Sequence, residues 1–183
     1  MIKKISILVL AIIFQNAAFA QLEDNEAFDN IITFDAQVSK EIKDGKLYTH
    51  SLDFNTSKKD WLGIKGYRET INCHFKILES KEVELVKIVV ILEKEGEQAL
   101  KSYLYSPDQH PIMCYNTFLK DGEMIGNQGA YFGKGTIVAL SVNDAIIVGD
   151  NLTDAMVNSA RDMYLNGERY RQMLEKVMSM QSQ

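Results

Sequence analysis

Alternation of apolar and polar positions dominates the chain from Tyr48 to Val148. Tyr48, His50, Leu52 and Phe54 alternate with Thr49, Ser51 and Asp53. Side chains of a strand point to opposite faces with period two, so the first set is expected to line one face. Ile71, Cys73, Phe75 and Ile77 share a face in the same way, after a stretch, Trp61-Leu62-Gly63-Ile64 and Gly66, that carries flexible backbone. Val83 to Leu92 is dense in β-branched residues and ends at Glu95-Gly96, with Gln98 to Tyr105 as its expected hairpin partner. Pro107 and Pro111 bracket a loop, since neither can donate to a sheet ladder. Ile112 to Leu119 leads into Lys120-Asp121-Gly122-Glu123, another turn. Thr136 to Leu140, Asn143-Asp144 and Ala145 to Val148 read as a last hairpin.

Two stretches carry a different period. Ile32, Phe34, Ala36 and Val38 alternate with Thr33, Asp35 and Gln37, which predicts a strand from about residue 31. The same stretch would place Phe28, Ile31, Asp35, Val38 and Ile42 on one side of a helix. Lys43-Asp44-Gly45-Lys46 ends it as a hairpin turn or a helix C-terminus. Beyond Gly149, Met156, Ala160, Met163 and Tyr164 recur at helical spacing, continued by Tyr170, Met173, Leu174 and Val177. Asp150 or Asn151 is the expected cap, and Asn166-Gly167 the place for a break or bend. The fold class expected is α+β: a mostly antiparallel β meander, as a curled sheet or barrel, with a C-terminal amphipathic helix. Residues 31–149 form its strand-rich part and 151–180 its helical part.

The first twenty residues do not belong to this pattern. Met1-Ile2-Lys3-Lys4 is a short basic start, Ile5 to Phe14 is apolar, and Ala18-Phe19-Ala20 precedes Gln21. That is the layout of a secretory signal peptide cleaved after residue 20. The apolar run is shorter than the roughly 20 residues of a spanning helix, which disfavours the alternative of an uncleaved anchor. No Cys stands at the cleavage site for lipid attachment, and no later segment is apolar enough for an integral membrane span. The mature chain is expected to be one secreted or periplasmic domain, residues 21–183.

Export changes how composition is read. The formal charge of −5 includes Lys3 and Lys4, so the mature chain carries −7. Such an acidic chain argues against nucleic acid and anionic membranes as partners. Cys73 and Cys114 are the only cysteines. In an oxidising compartment they are expected to form a disulfide, which would contribute about 3–4 kcal/mol by restricting the unfolded chain.

Candidate chemistry is sparse. His50, His74 and His110 stand at no metal-ligand spacing, so no metal site and no cofactor is expected. Ser106, Ser141 and Ser159 lack a Gly-x-Ser-x-Gly elbow. The helix methionines are expected in the core. The glycines at 126, 129, 133 and 135 surround Tyr131, Phe132 and Lys134 without the spacing of a phosphate loop. They mark either a twisted, bulged strand or a contact segment. In the second case Tyr131 and Phe132 would touch a ligand or partner, Lys134 would orient an anionic group, and Trp61 would assist. The function expected first is a non-enzymatic exported binding protein for a small apolar molecule. A protein-interaction or envelope-structural role, with another exported protein as partner, comes second, and a hydrolase third.

Overall fold

The computed structural model describes residues 25–57, 60 and 64–181. The expected signal segment and Trp61 therefore lie outside the described residues. The described chain opens in a helix, α1 (residues 25–43), followed by eight strands. These are β1 (Tyr48–Phe54), β2 (Arg68–Ile77), β3 (Val83–Lys94), β4 (Glu97–Tyr105), β5 (Pro111–Lys120), β6 (Glu123–Gly133), β7 (Thr136–Val142) and β8 (Ala145–Ile147). A 3₁₀ turn at Gly149–Asn151 precedes the long helix α2 (Asp154–Gln181).

The strands pair in chain order, every neighbour antiparallel, from β1 to β8. The sheet is open and does not close into a barrel. Four of the turns hold it in register: Glu95-Gly96, Asp121-Gly122, Lys134-Gly135 and Asn143-Asp144. All eight residues have positive φ, the mark of a two-residue hairpin turn whose twist matches its strands. Bulges at His74/Phe75, Leu104/Tyr105, Phe118/Leu119 and Tyr131/Phe132 bend the ladder further.

Residues 31–38 are helical rather than extended. Ile31 and Val38 are buried on one side of α1, with Phe34 and Ile42 beside them, in a cluster with Leu104, Met113 and Tyr131. The helical spacing won over the alternation because one sheet face needs covering, and a helix of this periodicity can cover it. Gly45, at φ 69°, ends α1 with two bonds back to its last turn: Gly45 N–H to the Ile42 carbonyl and Lys46 N–H to that of Glu41.

The opposite face belongs to α2. Ile71, Cys73, Ile88, Tyr103, Cys114, Ala130 and Leu140 meet Ala160, Met163 and Leu174 of the helix. Twenty-eight residues make a rod of about 42 Å, and eight strands span about 34 Å, so one helix can cross the whole sheet. It does so without a break at Asn166-Gly167. Gly167 stands there because a Cβ would come within 2.9 Å of Tyr103 and 3.0 Å of Pro111. The Tyr105 hydroxyl donates to the Gly167 carbonyl at 2.8 Å. The cap is Thr153, whose hydroxyl accepts from the Met156 N–H at 3.3 Å. Asp150 and Asn151 are taken up by the 3₁₀ turn before it.

The expected disulfide is not formed: Cys73 and Cys114 are separate buried thiols. They occupy one cross-strand row, Cys73 opposite Ile88, Ile88 opposite Tyr103, and Tyr103 opposite Cys114. Three strand spacings amount to about 14 Å in a sheet, whereas a disulfide needs Cα atoms within about 7 Å.

Candidate functional site

The glycine-rich segment is strand β6 as far as Gly133, and its two rings separate. Tyr131 faces α1, 4% exposed, with its ring 4.8 Å from Phe28 in an edge-on contact. Phe132 faces α2, 5% exposed, its ring 5.1 Å from Tyr164. The glycines relieve crowding in this strand. A Cβ at Gly129 would approach the Tyr115 ring to 2.8 Å, and one at Gly133 the Val138 side chain to 2.8 Å. Lys134 and Gly135 form the exposed β6–β7 turn, at φ 50° and 81°. The Thr136 hydroxyl closes that turn on the Gly133 carbonyl at 2.8 Å.

Phe132 and Tyr164 form the common wall of two adjoining hollows. One, of about 400 Å³, lies between the β6–β7 turn and the start of α2, where Ile137, Leu152 and Val157 supply apolar surface and Arg161 a cation. The other, of about 450 Å³, lies between the same turn and the β4–β5 loop, with Lys134, His110 and Ile112 on its lining and Asp108 as its carboxylate. Gly135 borders both as well, so the hollows lie side by side as two halves of a trough with Phe132 and Tyr164 between them. Burial, and Glu168 next, raise the Tyr164 phenol above its usual range, so it is a neutral donor at neutral pH.

The loop that borders this trough is pinned from beneath. Gln109, at φ 64°, accepts from the Leu85 N–H at 3.1 Å and donates to the Leu85 carbonyl at 3.4 Å. The Ser106 hydroxyl donates to the His110 carbonyl and accepts from the His110 N–H, both at 3.3 Å. Its proton is therefore directed at backbone and not at the imidazole, which turns to Glu168 at 3.5 Å. Glu168 is itself held by Arg171 at 2.9 Å. A serine nucleophile needs its base within hydrogen-bond reach, and this Ser–His neighbourhood does not supply one.

The described residues hold no group of three or more metal-ligating side chains. No helix among them is long and apolar enough to cross a membrane. Of the residues singled out in the sequence, Phe132 and Lys134 line the trough, Tyr131 is buried on the other side of the sheet, and Trp61 is outside the described residues. Tyr164 and Arg161 were not singled out as contacts. The helical spacing of Tyr164 with Met156 and Ala160 was visible, but not which strand it would meet. No protein-family model, no curated protein and no solved structure matches the chain.

Proposed function

We propose that the chain is a non-enzymatic exported binding protein that holds a small apolar molecule bearing an anionic group. The observation that carries this is the trough itself: a shared Phe132–Tyr164 wall with Lys134 lining one half and Arg161 the other. Each half falls within the roughly 300–1,000 Å³ usual for small-molecule sites. In a chain of formal charge −5, two cations against the single Asp108 carboxylate, beside an apolar wall, give a direction to the ligand. Its carboxylate or sulfonate meets the cations, and its hydrocarbon lies along Phe132, Ile137, Leu152 and Val157.

The test is calorimetric titration of the mature protein with three matched alkyl ligands: a carboxylate, an alcohol and a trimethylammonium. The carboxylate should bind tightest and the cation weakest. Arg161→Gln with Lys134→Gln should weaken the carboxylate about ten-fold, in line with a lost charge pair, and leave the alcohol unchanged. Equal binding of all three, or saturable binding of none, would rule the proposal out.

A further inference from the structure

The far end of the sheet from α1 carries a second surface of different character. There the β3–β4 and β5–β6 turns lie side by side, with the Asp121 N–H donating to the Gly96 carbonyl at 3.3 Å. Leu92, Ala99 and Phe118 occupy one cross-strand row below them. With Ile64, Tyr67 and Ile125 they line a cleft of about 360 Å³ whose surface is almost wholly apolar. Among the described residues, none of α2 lines it. Two of its apolar side chains are open to solvent: Phe118 is 39% exposed and Ile125 62%. A large apolar patch kept at the surface marks an interaction site more often than a packing defect.

The charge around this cleft says what kind of partner it fits. Glu95, Glu97, Asp121 and Glu123 are all exposed on the two turns, against Lys94 and Lys120. The carboxylates outnumber the ammonium groups two to one, and the acidic turns stand directly over the apolar floor. An anionic lipid surface or an acidic peptide would be repelled here. A cationic one would be drawn in and oriented. The cleft opens to solvent beside the two turns, so side chains of a docked protein segment can reach its floor.

We propose that this end of the sheet docks a protein segment that presents large apolar side chains flanked by lysine or arginine. The apolar side chains fill the floor between Leu92, Phe118 and Ile125, and the flanking cations meet Glu95, Glu97 and Glu123. This surface is separate from the trough and does not depend on any ligand bound there.

Two fluorescein-labelled peptides test it, one with a leucine–phenylalanine core flanked by lysines and one with the same core flanked by glutamates. Anisotropy titration of the mature protein at low ionic strength should show saturable binding of the lysine peptide, about ten-fold tighter than its isomer. Binding should weaken as salt is added. Ile125→Ser should weaken it about ten-fold with an unchanged melting temperature, because Ile125 is largely exposed in the free protein. Glu95→Lys with Glu97→Lys and Glu123→Lys should reverse the order of the two peptides, which a loss of folding cannot do. Equal affinity for both peptides, an order that survives the charge reversal, or no saturable binding of either would overturn the proposal.

Discussion

His74 on β2 and Lys87 on β3 stand directly opposite each other in the ladder, and both are buried beneath α1. Lys87 takes the Asp35 carboxylate of α1 at 2.7 Å and the Ser39 hydroxyl at 3.2 Å. His74 is left with the Thr49 hydroxyl at 3.0 Å. Burial first, and the Lys87 ammonium second, hold the His74 imidazole below its ordinary value of 6.5. The seam between helix and sheet thus holds one cation, Lys87, paired with the Asp35 carboxylate beside the His74 imidazole.

That asymmetry makes stability depend on pH in a stated direction. Below about pH 6.5 the unfolded chain binds a proton at His74 that the native chain resists, so stability falls as pH falls through this window. One proton can contribute a slope of at most about 1.4 kcal/mol per pH unit. Denaturant unfolding of wild type and His74→Gln between pH 8 and pH 5 measures it. The variant should lose less stability on acidification than wild type. Parallel curves would mean that His74 does not set the slope.

The two cysteines should behave as inert thiols in spite of the proposed export. Burial pushes Cys73 up to about 11 and Cys114 higher still, so neither is a thiolate near neutral pH. Alkylation of the native protein without reductant should modify neither residue. Alkylation in denaturant, again without reductant, should modify both. A disulfide would leave both unmodified in the second experiment, and mass spectrometry distinguishes the two results.

Gly167 offers a case in which helix propensity and packing oppose each other. Glycine to alanine inside a helix ordinarily gains about 1 kcal/mol. Here the new methyl would press on the Tyr103 ring and Pro111, in the contact that seats α2 on β4 and β5. The backbone would have to withdraw, and with it the Tyr105 bond to the Gly167 carbonyl. Gly167→Ala is therefore expected to destabilise by about 1–3 kcal/mol, as overpacking does. A variant more stable than wild type would show that the helix can shift without loss.

The sheet was legible because period-two alternation and Asp-Gly or Glu-Gly turns are local signals. Glu95-Gly96 and Asp121-Gly122 announce hairpins whatever the rest of the chain does. Residues 31–38 were not settled, because Phe34 and Val38 fit both a strand face and a helix face. The choice between them lay in Tyr131, Leu104 and Met113, distant residues with an apolar face to cover. The disulfide expectation failed for a similar reason. Pairing of Cys73 with Cys114 depends on how many strands lie between them, and sequence separation does not report that. Half of the trough was visible in Phe132 and Lys134. The other half comes from Tyr164 and Arg161, brought there by the phase of α2 against the sheet, which no short window of sequence encodes.

Adjacent residues on opposite faces allow the sharpest separation of structure from binding. Tyr131 and Phe132 follow one another in β6, yet Tyr131 packs on Phe28 of α1 while Phe132 packs on Tyr164 of α2. Tyr131→Ala should remove a buried ring and cost about 3–5 kcal/mol, the usual range for a large aromatic lost from a core. It should loosen α1, because Phe28 loses its partner, and amide exchange along residues 25–43 should accelerate. The α2 face should keep its protection, and the affinity for an alkyl carboxylate of the Tyr131→Ala protein that remains folded should be unchanged. Lys134→Gln should do the reverse. Its side chain is exposed in the turn, so melting should shift little while carboxylate affinity falls. A Tyr131→Ala protein that melts normally and loses carboxylate binding would place the contact on the α1 side of the sheet and refute the assignment of the trough.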